Sequence, residues 1–132
     1  MPKEFFWLML TIILTGLMWI PYILDRSAVR GLTVAMGNPS PSDKPQSPWA
    51  QRMINAHDNA VENLVLFAPL VLVAHELEIS NGTTVAACAV YFWARLAHVI
   101  VYALGIPMLR TLVWTVSWLA LAALVLAIFR LA

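Results

Sequence analysis

The chain consists of long apolar blocks separated by short polar stretches. A helix needs roughly 20 mostly apolar residues to cross the hydrocarbon core of a membrane, and four blocks reach that length. They lie at about residues 5–24, 48–77, 84–104 and 107–131. Within each block the apolar residues follow one another instead of alternating with polar ones, which favours helices over strands. The pattern predicts an all-α, polytopic membrane protein: one domain, residues 1–132, with four transmembrane helices.

The only long connection between blocks is predicted at residues 25–47. It contains Pro39, Pro41 and Pro45 together with several serines. Proline has no backbone N–H to give to a helix, so we expect this connection to be irregular or extended. The next helix should begin at Ser47 and Pro48, because serine is a good N-cap and proline fits the first helical turn.

The other two connections are short turns. Residues 79–84 read "ISNGTT", and we expect Thr83 or Thr84 to cap the helix that follows. The segment "GIP", Gly105 to Pro107, places a glycine after one helix and a proline at the start of the next. That order is typical of a tight antiparallel hairpin. Together the turns predict an up-and-down, antiparallel four-helix bundle.

Charge adds an orientation to this picture. Charged residues make up 11% of the chain, against roughly 25% in soluble domains, and no basic patch suggests a nucleic-acid partner. Most basic residues fall at one end of the predicted bundle: Arg26, Arg30, Lys44, Arg52 and Arg110. Lys3 and Arg130 fall at the other end. The positive-inside rule therefore predicts that the long loop is cytoplasmic and that both termini lie outside.

Ionisable residues form stripes on two of the predicted helices. The second helix carries a stripe at i, i+4 and i+7: Asn55, Asn59 and Glu62. The third carries a stripe at i, i+3 and i+7: Arg95, His98 and Tyr102. Because these helices run antiparallel, both stripes lie at a similar depth. Charged groups inside a membrane face protein or a wet cavity, so we expect the stripes to face one another or a neighbouring subunit, with Glu62 paired to Arg95.

The residues alone leave two interpretations open. The stripes are either a structural ion-pair network that fixes helix register, or part of a ligand site. Arg30 and Arg110 would add donors to such a site, which suits a ligand with an anionic, polar end and a lipophilic partner. Metal-ligand pairs, nucleophile elbows and phosphate-binding glycine motifs are absent, and Cys88 is the only cysteine. We expect no metal site, and any chemistry would rely on a cofactor's own reactive group.

Three motifs give the chain a family resemblance: "NAHDNAVEN", "ARLAHVIVY" and "RTLVWT". With them the sequence resembles the MAPEG family, the membrane-associated proteins of eicosanoid and glutathione metabolism. The prostaglandin E synthase branch has A-H-x-N-x-x-E on its second span, matched here from Ala56 to Glu62. Its third span has R-x-A-H-x-x-x-Y, matched from Arg95 to Tyr102. In length and loop the chain looks most like the small bacterial branch of the family.

The resemblance implies a homotrimer of four-helix protomers that binds glutathione between adjacent subunits, near the cytoplasmic face. The implied glutathione-binding residues are Arg30, Asn59, Glu62, Arg95, His98, Tyr102 and Arg110. Glu62 would receive the amino group of glutathione and the arginines its carboxylates, with Arg95 as the countercharge of Glu62. Arg110 and Thr111 are the implied catalytic residues, because the family stabilises the glutathione thiolate with an arginine or an adjacent hydroxyl.

Two positions depart from that branch. Asp58 stands where the branch has an arginine, and Trp114 stands where it has a tyrosine. The resemblance implies a glutathione-dependent transferase or peroxidase that acts on hydrophobic electrophiles from the bilayer, located in the bacterial inner membrane. The alternative is a non-enzymatic lipid-binding or scaffold protein of the same fold, in which the polar stripes only hold the trimer together.

Overall fold

The computed structural model describes residues 1–131, and in that range the chain forms helices without strands. The helices are α1 (Lys3–Leu17), α2 (Trp19–Arg30), α3 (Leu32–Met36), α4 (Pro48–Glu76), α5 (Gly82–Leu104) and α6 (Pro107–Leu131). Only Met18 separates α1 from α2, so the two follow each other almost as one helix. The prediction of an all-α protein is confirmed.

Three stretches of the described chain are long and apolar enough to cross a membrane. They are Lys3–Arg30, Gly82–Leu104 and Pro107–Leu131. Helix α4 is not among them, although its 29 residues would span about 43 Å at 1.5 Å per residue. Its first half carries Arg52, Asp58 and Glu62, which lower its hydropathy. Of the four predicted spans, three are therefore supported by hydropathy and one by length alone.

The predicted irregular connection at residues 25–47 is wrong in its first half. Helix α2 continues to Arg30 and α3 follows after a single residue. The residues from 25 to 30 include no proline or glycine, so nothing in the backbone stops the helix before Gly31. Gly31 has φ +81°, a left-handed conformation that glycine adopts without steric cost, and it ends α2. The irregular segment begins at Gly37, and the three prolines lie within it.

Helix α5 lies at the centre of the packing, in contact with α1, α4 and α6. The larger apolar cluster includes Phe67 of α4, Tyr91 of α5 and Leu124 of α6. The rings of Phe67 and Tyr91 stack with their centroids 4.0 Å apart. Nearer the other end of α4, Ala56 and Ala60 are buried against α5, and their small side chains let the two backbones approach closely. This central position places the polar stripe of α5 inside the protein.

A buried carboxylate ties the N-terminal helix to the turn between α4 and α5. Glu4 is 5% exposed and accepts hydrogen bonds from Ser80 Oγ at 2.9 Å and Thr84 Oγ1 at 2.6 Å. The prediction that Thr83 or Thr84 caps α5 is wrong. Asn81 is the N-cap, and its side chain accepts from the backbone N–H groups of both threonines. Thr84 completes a reciprocal capping box, because it lies three residues after the cap.

A second carboxylate ties α2 to the start of α4. Asp25 is buried and accepts hydrogen bonds from the backbone N–H and hydroxyl of Ser47 and from the Gln46 amide. The same Gln46 amide donates to the Tyr22 carbonyl oxygen. Ser47 precedes Pro48 and α4 as predicted, but its hydroxyl donates to Asp25 instead of capping the helix.

The predicted hairpin between α5 and α6 is confirmed. Gly105 ends α5 in the left-handed region, with φ +77°. Arg52 of α4 donates from Nε to the Ala103 carbonyl oxygen at 3.0 Å. A Cβ at position 105 would lie 3.1 Å from the Arg52 guanidinium carbon. The hairpin therefore needs glycine for its backbone angle, and a Cβ there would also require the Arg52 side chain to shift by a few tenths of an ångström.

Replacing Asp25 with alanine should lower the stability of the protein, because three donors would lose a charged acceptor. Unfolding in detergent, induced by heat or by SDS, measures the change. Glu76→Ala is the matched control, since Glu76 is exposed at the end of α4 and its loss should change stability little. Equal effects of the two substitutions would contradict the role given to Asp25.

Gly105→Ala should lower stability by about 1–2 kcal/mol, the cost of a left-handed alanine, with a further loss from displacing Arg52. Gly16→Ala is the control, because Gly16 lies within α1 with no atom within 4 Å of an added Cβ. That change should leave stability unchanged or raise it by up to about 1 kcal/mol. The same unfolding measurement compares both variants, and a stable Gly105→Ala protein would contradict the argument.

Candidate functional site

A cavity of about 310 Å³ lies where the end of α5 meets the start of α6 and the first half of α4. Its lining residues are Asn59, His98, Tyr102, Arg110, Thr111 and Trp114. All but Trp114 belong to the site predicted from the sequence. Helix α6 contributes three of them, at i, i+1 and i+4. The structure therefore gathers most of the predicted polar set around one space.

Arg110 is held at the cavity by an aromatic ring. Its guanidinium carbon lies 4.6 Å from the centre of the Tyr102 ring, a cation–π distance. The Tyr102 ring in turn meets His98 edge to face, with the ring centres 5.4 Å apart. Arg110 is half-buried and forms no ion pair with any residue in the range 1–131. Its charge therefore faces the cavity without a carboxylate to neutralise it.

The predicted ion pair between Glu62 and Arg95 is wrong for the isolated protomer. Arg95 is 2% exposed, and its Nη2 donates to Oδ1 of Asn59 at 2.7 Å. Glu62 lies one turn further along α4 and is exposed. Arg95 does not line the cavity, so it reaches the site only through Asn59.

Arg30 also lies apart from the cavity. It forms an ion pair with Asp43 at 3.7 Å and donates from Nε to the Lys44 carbonyl oxygen at 2.7 Å. Both partners belong to the irregular segment, so Arg30 fastens that segment to the end of α2. Arg30 and Glu62 are thus the two predicted binding residues that a single protomer leaves away from the cavity and from the Asn59 and Arg95 pair.

Sequence reasoning missed two buried neighbours of this site. Asn63 donates from Nδ2 to the backbone carbonyl oxygen of Asn59 at 2.9 Å, and the same nitrogen lies 3.4 Å from Oδ1 of Asn59. Tyr91 lies one turn before Arg95 and is buried, with no hydrogen-bond partner for its hydroxyl in residues 1–131. Helical spacing could have found both, because Asn63 lies four residues after Asn59 and Tyr91 lies four residues before Arg95.

Helix α4 contacts α2 through His57, which lies in the motif "NAHDNAVEN". His57 Nδ1 and the Tyr22 hydroxyl share a hydrogen bond of 2.8 Å. This bond accounts for His57 as a structural residue. Asp58, the next residue, is exposed and does not line the cavity.

The donors around the cavity suit an anionic peptide better than a metal ion. Arg110, the hydroxyls of Tyr102 and Thr111, and the Asn59 amide are groups that bind carboxylates, carbonyls or a thiolate. The cavity volume falls at the small end of the range of roughly 300–1,000 Å³ for ligand sites. No group of three or more His, Cys, Asp or Glu residues suited to a metal ion is found in the part of the chain that the structure describes. Cys88 is fully buried and lies outside the cavity.

An apolar groove lies further along α6 than this cavity. It has a volume of about 640 Å³ and lies between α4 and α6, lined by Val65, Leu66, Pro69, Leu70, Trp118, Leu121, Ala122, Val125 and Leu126. Trp118 follows Trp114 of the cavity by one helical turn. The polar cavity and the apolar groove are therefore lined by successive turns of the same helix.

Comparison with known proteins agrees with the motifs. No match is found among individual curated proteins. The family model described as MAPEG family matches residues 5–130, nearly the whole chain, and so includes all three motifs and every residue of the cavity. With three candidate transmembrane helices and this match, the chain is an integral membrane protein that belongs to the MAPEG family, which includes glutathione-dependent transferases and peroxidases.

Proposed function

We propose that this protein is a glutathione-dependent transferase or peroxidase that acts on hydrophobic electrophiles dissolved in the membrane. The observation that carries the proposal is the unpaired Arg110 in a cavity that also holds Asn59, Tyr102 and Thr111. An anionic ligand would neutralise this charge, which no carboxylate in residues 1–131 does. Glutathione, when bound, would supply the thiol that attacks the electrophile.

Arg110 and Thr111 would be the catalytic residues, through contact with the sulfur. A fixed positive charge near a thiol favours its ionised form, which is the nucleophile. The Thr111 hydroxyl donates to the Pro107 carbonyl oxygen at 3.3 Å. This bond is long enough for the hydroxyl to exchange it for a bond to sulfur.

Asn59, His98 and Tyr102 would bind the peptide part of glutathione. Arg30 and Glu62 would join the site across a subunit interface of a homotrimer. The exposed face of α4 supports this arrangement, because it carries Asn55, Asp58 and Glu62. A charged side chain on lipid at mid-membrane costs about 2.5–3.5 kcal/mol, so this face would be covered by another subunit.

The apolar groove along α6 would take the lipophilic substrate. Its lining is made of aliphatic side chains and Trp118, one helical turn beyond Trp114 of the cavity. A substrate dissolved in the bilayer would enter the groove from lipid and meet the thiolate at the polar end. This order of polar cavity and apolar groove matches a reaction between a water-soluble thiol and a membrane-soluble electrophile.

The topology proposed with this function has four crossings in the bacterial inner membrane. Helix α4 would cross as the second span, with its polar first half covered by other helices and subunits. The basic residues of the long loop would hold it in the cytoplasm, where glutathione is available. Both termini would lie outside.

A non-enzymatic lipid-binding or scaffold protein is the second candidate function. Two observations favour it: the roomier of the two spaces described is the apolar groove, and Trp114 contributes no hydroxyl to the cavity. In that case Arg110 would serve only to anchor the helix at the membrane interface.

Glutathione should bind the purified protein in detergent, and Arg110→Ala should weaken binding by roughly 10- to 100-fold, the loss of a charge-assisted hydrogen bond. Calorimetry measures affinity, and a chromogenic aryl halide measures thiol transfer. Arg130→Ala is the matched control, because Arg130 lies exposed at the far end of the same helix, and it should change neither value. An intact protein that does not bind millimolar glutathione would support the lipid-binding alternative.

Cysteine labelling should confirm the proposed topology. Cys88 is fully buried, so the wild-type protein should react little with a membrane-impermeant maleimide. Glu76→Cys, at the end of α4, should react on intact spheroplasts, whereas Ser42→Cys, in the irregular segment, should react only after lysis. Labelling of both positions from one side would mean that α4 does not cross the membrane, and the reverse pattern would invert the orientation.

A further inference from the structure

Arg95 carries a buried charge that makes a single hydrogen bond. Its Nη2 donates to Asn59 Oδ1 at 2.7 Å, while its Nε and Nη1 have no partner among residues 1–131. No carboxylate forms an ion pair with it there. A guanidinium has five N–H donors and no acceptor. The Asn59 atom that contacts it must therefore be the amide oxygen.

A second neighbour agrees with this orientation through a longer and weaker contact. Asn63 donates from Nδ2 to the backbone carbonyl oxygen of Asn59 at 2.9 Å. Because only an N–H group can make this contact, the Asn63 atom that faces Asn59 is its amide nitrogen. The same Nδ2 lies 3.4 Å from Asn59 Oδ1. The two side-chain groups near Asn59 Oδ1, the Arg95 guanidinium and the Asn63 NH₂, are therefore both donors. The Asn59 NH₂ group cannot exchange places with this oxygen without facing two donors.

We propose that Arg95 is a positioning residue that makes Asn59 a hydrogen-bond donor to the ligand of the cavity. Asn59 lines the cavity beside His98 and Arg110, and its NH₂ group points away from the oxygen that Arg95 holds. The buried charge of Arg95 also polarises the amide, which strengthens its N–H groups as donors. Asn59 therefore selects for a carboxylate, carbonyl or thiolate at that point and against an ammonium group. This inference rests on the proposed function, because it assigns the ligand's acceptor to Asn59.

A double-mutant cycle on glutathione affinity separates this role from a purely structural one. Arg95→Met removes the donor and frees the Asn59 amide to rotate, so glutathione affinity should fall about tenfold, the effect of one lost hydrogen bond. Arg95→Lys keeps a donor-only side chain and should restore affinity to within about threefold of wild type. In an Asn59→Ala background, Arg95→Met should cause no further loss.

Two results of the cycle would overturn the proposal. One is an equal loss from Arg95→Met in the presence and absence of Asn59, which would mean that Arg95 acts on the ligand or the fold by another route. The other is a failure of Arg95→Lys to restore binding in a protein that is as stable as wild type.

Asn59→Asp provides a further check that keeps the fold: aspartate accepts from Arg95 but cannot donate to the ligand. It should retain thermal stability and lose glutathione affinity by more than about tenfold.

Thermal unfolding of the same variants without ligand tests the pair itself. Because Arg95 and Asn59 are bonded to each other, the double variant should melt close to the less stable single variant. If the melting-point loss of the double variant equals the sum of the losses of the two single variants, the proposed pairing is overturned. A wild-type protein that does not bind glutathione would overturn the proposed function and the ligand role of Asn59, and the unfolding data would still decide whether the two residues are coupled.

Discussion

A guanidinium group in an apolar bundle must be solvated by the protein, and this requirement organises the middle of the molecule. Arg95 is on the central helix α5 and is nearly inaccessible, so its partner has to come from a neighbouring helix at the same depth. Asn59 of α4 supplies it. The bond fixes the register of α4 against α5, and Ala56 and Ala60 allow the approach that it needs. The cavity of the candidate site opens beside this bond, since Asn59 belongs to both.

The same physical solution recurs at both ends of the protein. Glu4 and Asp25 are buried carboxylates that form no ion pair in residues 1–131. Glu4 accepts from two hydroxyls, and Asp25 accepts from a hydroxyl, a backbone N–H and a side-chain amide. Neutral donors can surround a charge from several elements, and they carry a smaller desolvation cost than a second ion. Each cluster joins segments that are far apart in sequence. The apolar faces set which helices are buried, and these few polar contacts set how the helices are aligned.

The candidate site combines two environments on one helix. Arg110 and Thr111 begin α6 in the polar cavity, and Trp118 lies in the apolar groove further along. MAPEG family membership gives this arrangement a meaning, because the family includes enzymes that join glutathione to hydrophobic compounds. A family site at the interface between subunits would also explain why Glu62 is exposed in a membrane protein. The positioning of Asn59 by Arg95 then gives the polar end a defined preference for hydrogen-bond acceptors.

The sequence by itself determined the long helices, the Gly105 hairpin and the stripes that supply three of the six cavity residues. Those features follow from local rules: apolar runs form membrane helices, glycine adopts left-handed angles, and residues three or four apart share a helix face. Only the tertiary structure decided which residue each buried or half-buried arginine contacts. Arg95 binds Asn59 instead of Glu62, and Arg30 binds Asp43 away from the cavity, because rotation and depth of packed helices decide which side chain lies within about 3 Å. Opposite charge indicates that two residues can pair, whereas the packing of α4 on α5 determines whether they meet.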